Sequence, residues 1–342
     1  MNSRERVLAA LRCQQPDRVP YCELGIDRAL AQKLMGWGPG TSQAANLEIM
    51  PYTVQEARAL AAHLGLDNLT YVLRAPVYAE KVPGMDGRLF YGNGLLTSRA
   101  ALPILQLPDP HDETLYAGIA PFLAERGDYS TWFVTRMGIF PTMLGMGTEA
   151  FSVALFEDRP LVEEILDRYV DWACVVAERA CRMGFDAYVT TDDMAFKTGP
   201  FFSPKVFREL VMPRYRRLRE VVTLPWIIHS DGNMLPFMDD LASLGIAGIH
   251  PNEKGAMDPR VTKQRYGGRN GGGICVLGNV DLNLLGMATP EEVDREVFEL
   301  IRDVGPGGGY IVTSGNSLAG YLIPENVLVL SRAVQKYGQY PL

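Results

Sequence analysis

Histidine and cysteine are scarce in this chain, with four and five among 342 residues. The cysteines, Cys13, Cys22, Cys174, Cys181 and Cys275, are odd in number, scattered, and form no CxxC pair. Neither a disulfide framework nor a cysteine-rich metal site is indicated, and a reducing, cytoplasmic setting is expected. No run of about 18 apolar residues occurs, so no membrane-spanning helix is expected. The N-terminal Met-Asn-Ser-Arg-Glu-Arg lacks the basic-then-apolar plan of a secretion signal. A basic excess is missing as well: the formal net charge is −7 and the pI near 5.3, which argues against nucleic acid as a partner. Four familiar signatures are also absent: a helix-opening GxGxxG, a P-loop, HExxH and GxSxG. Nicotinamide, phosphate and serine-hydrolase chemistries lose weight accordingly. The glycine-rich "GGRNGGG" at 267–273 precedes a strand pattern and reads as a loop on the bottom face, away from the functional pole.

What is present is enough for a large core: 47% of residues are hydrophobic and 21% charged, so disorder is excluded. Eight short β-branched or apolar runs recur: 19–25, 68–74, 130–136, 185–193, 224–232, 246–253, 273–281 and 309–316. Helical periods separate most of them. Ser203 with Pro204 at the first helical position marks one helix start, and Thr289-Pro290-Glu291-Glu292 has capping-box spacing. Alternating strands and helices predict an α/β fold, a (β/α)8 TIM barrel, as one domain over residues 1–342; a doubly wound open sheet is the competitor. Within 77–107 the pairs Asp86-Gly87 and Asn93-Gly94 signal a β-hairpin excursion at the barrel mouth or rim.

Barrel active sites lie at the C-terminal ends of the strands. Here those ends carry Glu23, Arg74, Arg136, Asp192 with Asp193, His229 with Asp231, His250 with Glu253, Asn279 with Asp281, and Ser314 with Asn316. Polar loops alone account for any one of these ends, and less well for all eight. In "PWIIHSDGN" (225–233), His229 and Asp231 are two apart in a strand and share a face. His229 and His250 end consecutive strands and should meet at the mouth. Asp192 and Asp193 point oppositely, so one faces the cavity while the other caps a loop or binds an arginine. Carboxylates with an imidazole make a hard O/N site suited to zinc, magnesium or manganese. Lys197 either screens that charge or is a solvated loop residue.

The segments "SRERVLAALRCQQPDRVPY", "TDDMAFKTGPFFSP", "IIHSDGN", "LGNVDLNLLGMATPEEVDREV" and "GGGYIVTSGNSL" together resemble the uroporphyrinogen decarboxylase-like superfamily across essentially the whole chain. The resemblance implies a (β/α)8 barrel that is either a true decarboxylase or a zinc-dependent methyltransferase working with a corrinoid protein. True decarboxylases carry an arginine-rich "MRQAGR" after the first strand. Here "YCELGIDRAL" places Glu23 and Asp27 where positive charge would grip an acidic porphyrinogen. The thiol-methylating branch shows His-x-Cys after the fifth strand and a further cysteine after the eighth; those positions hold His229-Ser230-Asp231 and Asn316.

Loss of both thiolates implies a harder zinc, better suited to polarising an ether oxygen. The expected activity is a corrinoid-dependent methyltransferase that O-demethylates a small methoxylated compound. A metal-assisted decarboxylase or lyase acting on a small carboxylic acid is the alternative, and a non-catalytic small-molecule or corrinoid-binding barrel is a third. Expected catalytic residues are His229, Asp231, Asp192 and Asp193. His229, Asp231 and Glu253 are the expected metal ligands, with Asp192 or Asp193 as other candidates for the third. Glu23, Tyr21, Lys197, His250, Asn279 and Asn316 are expected to bind substrate.

Overall fold

A computed structural model describes residues 1–38, 48–49 (backbone), 52–84, 89–268 and 272–342. Seven strands run parallel in one curled sheet, neighbouring in chain order: β1 (Asn68–Arg74), β2 (Ser130–Thr135), β3 (Ala187–Thr191), β4 (Trp226–His229), β5 (Gly248–His250), β6 (Cys275–Leu277) and β7 (Tyr310–Ile311). A two-residue strand, Glu48–Ile49, lies antiparallel to the end of β1. Helices such as Arg159–Met183, Pro290–Val304 and Pro324–Tyr337 connect or flank the strands. The architecture is α/β and TIM-barrel-like. Both expected helix starts form: Ser203 Oγ accepts the Val206 N–H, and Thr289 and Glu292 make a reciprocal capping box.

The first expected strand, 19–25, is where the structure differs. Cys22 N–H donates to the Val312 carbonyl and Val312 N–H to the Pro20 carbonyl, which extends the sheet beyond β7. Toward β1 the regular ladder fails, and side chains replace it. Glu23 N–H donates to Asn68 Oδ1, and Asn68 Nδ2 and Thr70 Oγ1 donate back to the Glu23 carbonyl. Pro20 has no N–H to offer a ladder. The segment therefore joins the two edges of the sheet without becoming a regular strand.

Alternation along the strands sorts side chains to two faces. An inner cluster contains Cys22, Leu24, Trp132, Val134, Ala187, Val189, Ile227, Cys275, Leu277 and Ile311, and Val7, Ala10 and Leu11 of the helix Ser3–Leu11 pack on it. That helix closes the pole at which the strands begin, leaving the other pole for polar groups. The outer faces of the strands meet the helices in a larger core. Among the described residues no single helix is long and apolar enough to cross a membrane.

The expected excursion is present as an antiparallel pair, Ala79–Pro83 with Leu89–Gly94. The Asp86-Gly87 turn and residues 269–271 of "GGRNGGG" lie outside the described residues. Asn93-Gly94, expected as a turn, instead ends the second hairpin strand. Its glycine serves a close approach: a Cβ at Gly94 would come within 2.3 Å of the backbone at Met146 and Gly147. The hairpin thus seats on the helix Ile139–Met146, which follows the C-terminal end of β2.

Candidate metal centre

Parallel pairing puts His250 directly beside His229, residue against residue. Their Nδ1 atoms are 2.6 Å apart and both rings are buried. Burial pushes the His229 pKa down; Asp193 opposes this, while Arg74 and Arg136 add to it. Burial, then the neighbouring His229, pushes His250 well below the usual histidine range. Both rings are therefore neutral at pH 7, and a single proton joins the two Nδ1 atoms. When His229 donates it, the His229 Nε2 lone pair faces the carboxylates of Asp193 and Asp231, 3.6 and 3.8 Å away. In that tautomer the imidazole nitrogen and the two carboxylates turn lone pairs toward one another, an arrangement that suits a cation.

Asp193 and Asp231 come from the ends of β3 and β4. The Asp231 N–H donates to Asp193 Oδ1 (3.0 Å), which ties the two loops together. Asn316, after β7, donates through Nδ2 to Asp231 Oδ2 at 2.5 Å. Asp231 Oδ1 is buried and has no hydrogen-bond partner. Burial first, then the charges of Asp193 and Glu253, raise the Asp231 pKa to about 8. The ligand atoms of Asp193, His229 and Asp231 all lie within 4.8 Å of one another. One imidazole nitrogen and two carboxylates, one of them with an orphaned oxygen, fit a divalent ion: two negative charges balance it, and three protein ligands leave a position open.

Glu253 is not part of that triad. Its carboxylate accepts the Gly232 N–H (2.8 Å) and pairs with Lys197 Nζ (3.2 Å). Asp192 is also elsewhere, as the opposite orientation of adjacent strand residues requires. Met137, Gly138 and Phe140 N–H donate to its two oxygens at 2.5, 3.0 and 3.1 Å. Fully buried, this expected catalytic carboxylate anchors the start of the helix Ile139–Met146 and stands apart from the triad.

Of the expected substrate-binding residues, Lys197 and Asn316 line a cavity of about 180 Å³ at the mouth, together with Asp231 and Glu253. His250 lies behind His229. Tyr21 is fully buried in the outer core. Glu23 is also buried, with Oε1 accepting the Ser314 N–H and Oε2 lying 2.6 Å from Ser314 Oγ. Asn279 donates through Nδ2 to the Asn252 carbonyl and lines a different cavity, beside Lys254 and Arg260. Arg74 and Arg136 stand among the polar strand ends, yet sequence reasoning assigns neither a role. Both act electrostatically on His229, and their position at the ends of β1 and β2 was the available signal.

A uroporphyrinogen decarboxylase of Alkalilimnicola ehrlichii is 23% identical, aligning 97% of this chain with 93% of its own. A second, from Mannheimia succiniciproducens, is 21% identical over 71% of this chain and 70% of its own. A methyltransferase from Methanosarcina mazei superposes with a TM-score of 0.74 at 19% identity, covering 98% of this chain and 99% of that one. The last likeness is one of fold. The family model for uroporphyrinogen decarboxylase (URO-D) matches residues 139–337, more than half of the chain and including all three triad residues; the chain belongs to this family.

Proposed function

We propose that the protein is a zinc-dependent methyltransferase that removes the methyl group from a small methoxylated compound and passes it to a corrinoid carried by a partner protein. The observation that carries this reading is the Asp193–His229–Asp231 triad with the unpartnered Asp231 Oδ1 at the barrel mouth. A decarboxylase gripping an acidic porphyrinogen would need cations after the first strand, where this chain has Glu23 and Asp27. The complete (β/α)8 barrel and the three ligand roles belong to the same proposal. So does cytoplasmic action without nucleic-acid or membrane partners.

A bound zinc would supply Lewis-acid polarisation of the ether oxygen whose bond to the methyl carbon breaks. The chain's own residues do the rest. Asp193, His229 and Asp231 would hold the ion. With the His229 proton on Nδ1, shared with His250 Nδ1, Nε2 would be free as a ligand. Asn316 fixes the orientation of the Asp231 carboxylate by donating one N–H to Oδ2. The mouth cavity orients the methoxy group between these side chains and solvent, where the partner must approach.

Elemental analysis of the purified chain tests this first, with about one zinc per chain expected of a mononuclear site. His229→Ala should lose the zinc and keep its far-ultraviolet circular dichroism. Wild-type zinc content in that variant would remove His229 as a ligand. A folded chain that takes up no zinc at all would favour a metal-free lyase or binding protein.

A further inference from the structure

We propose that Glu253 sets the charge selectivity of the mouth cavity: by holding Lys197 it makes the site accept neutral methoxylated molecules and refuse carboxylates. The inference rests on the reading of this cavity as the substrate site and names the class of substrate it takes.

Two lysines line the cavity, and both are already paired. Lys197 Nζ lies 3.2 Å from Glu253 Oε1, and Lys254 Nζ pairs with Glu296. The acids around them are Asp231, Glu253 and Asp281, with Asp193 just behind. Asp281 accepts the Asn283 N–H at the start of the helix Leu282–Met287. A zinc ion would offset Asp193 and Asp231. Arg74 and Arg136 act on His229 and do not line this cavity. An entering carboxylate would therefore find no free cation among the described residues of the lining. To capture Lys197 it would have to leave Glu253 unpaired beside Asp231, adding one like charge to a place already crowded with them.

The geometry shows why Glu253 occupies that position. Gly232 turns with φ of +83°, and a Cβ there would come within 2.3 Å of the Ala195 carbonyl oxygen. The turn after β4 is thereby pressed onto the short hairpin Ala195–Phe196/Gly199–Pro200, whose tip carries Lys197. Asn233 N–H donates to the Phe196 carbonyl and closes the contact. Glu253 reaches this junction from the end of β5, takes the Gly232 N–H with one oxygen and Lys197 with the other. Lys197 is 56% exposed and Glu253 23%, so the pair itself contributes little to stability. Its consequence is electrostatic: it removes a positive charge from the cavity wall.

Glu253→Gln tests this directly, because the amide keeps the size and the acceptor for Gly232 N–H while releasing Lys197. The probes are 2-methoxyethanol and methoxyacetate, a neutral and an anionic ether small enough for about 180 Å³. Binding to the zinc-loaded wild type, Glu253→Gln, and Glu253→Gln with Lys197→Met is followed by saturation-transfer NMR, with zinc content measured in parallel. The wild type should prefer methoxyethanol. Glu253→Gln should keep its zinc and shift the preference toward methoxyacetate by about tenfold, the effect of roughly 1.4 kcal/mol. Adding Lys197→Met should reverse that shift.

An unchanged preference in Glu253→Gln, with zinc retained, would overturn the selectivity role and leave the metal reading standing. Loss of zinc in Glu253→Gln would make Glu253 a ligand and overturn the proposal on that ground. Wild-type chain that holds zinc yet binds neither probe would overturn both the substrate cavity and its selectivity.

Discussion

Ser314 Oγ lies 2.6 Å from Glu23 Oε2 and 2.5 Å from the Asn316 carbonyl oxygen. A hydroxyl carries one proton, and two such contacts need two. A proton on Glu23 would satisfy the second contact. Burial raises the Glu23 pKa from 4.5 to about 8, against the opposing pull of Ser314 and Tyr21, in agreement with the proton count. The native state thus keeps a proton that the unfolded chain releases above about pH 4.5. Stability from this group is complete below that pH and declines as pH rises toward 8, by ~1.4 kcal/mol per pH unit. Glu23→Gln mimics the protonated acid. It should match the wild type near pH 4.5 and become the more stable chain by on the order of a few kcal/mol at pH 8.5. Urea midpoints across this range check it; parallel curves would mean that Glu23 titrates normally.

At the scale of the elements, Asp192 at the end of β3 organises the start of the next helix back, Ile139–Met146. Three N–H groups depend on it, and two of them belong to Gly138 and Phe140 around the first turn. Asp192→Ala should cost about 2–4 kcal/mol, since buried donors lose their acceptor, while zinc content stays at the wild-type level. Loss of zinc with unchanged stability would return Asp192 to the catalytic side. Sequence could state that Asp192 and Asp193 face opposite ways, but not which faces inward. All five residues of β3 are buried, so no polar alternation marks either face. The pairing of His229 with His250 was legible, because consecutive parallel strands ending in histidine bring them side by side. Ligand identity was less so: Glu253 and Asp193 both follow strand ends, and only the loop after β4 decides that Asp231 reaches Asp193 while Gly232 reaches Glu253. The strands themselves were readable from their β-branched runs. What failed at 19–25 was the ladder toward β1, which depends on side chains of Asn68 and Thr70 more than 40 residues away.

For the whole molecule, closure depends on one carboxylate at the pole opposite the candidate metal centre. Asp67 is completely buried, and it accepts from Ser3 Oγ, Arg6 Nη1, Arg18 Nη2 and the Tyr21 N–H at 2.7–2.9 Å. These donors belong to the first helix and to the segment that joins the sheet edges, while Asp67 itself leads into β1. A single side chain thus ties together three parts of the chain that share no regular ladder. No local pattern announces this, since the partners lie up to 64 residues away in sequence. Breaking a buried ion pair from one side leaves the other charge without its partner, which typically costs 3–5 kcal/mol. Arg6 keeps Asp17, 2.7 Å from its Nε, which limits the damage on that arm. Arg18 and the Tyr21 N–H would be left with less. Asp67→Ala should therefore lower stability by roughly 3 kcal/mol or more, read as a fall in the urea midpoint. The folded fraction should still carry wild-type zinc, because the triad stands on the far ends of β3 and β4. If zinc is lost in parallel with only a small fall in stability, the two poles are coupled, and the sheet cannot be treated as a rigid support for the proposed metal centre.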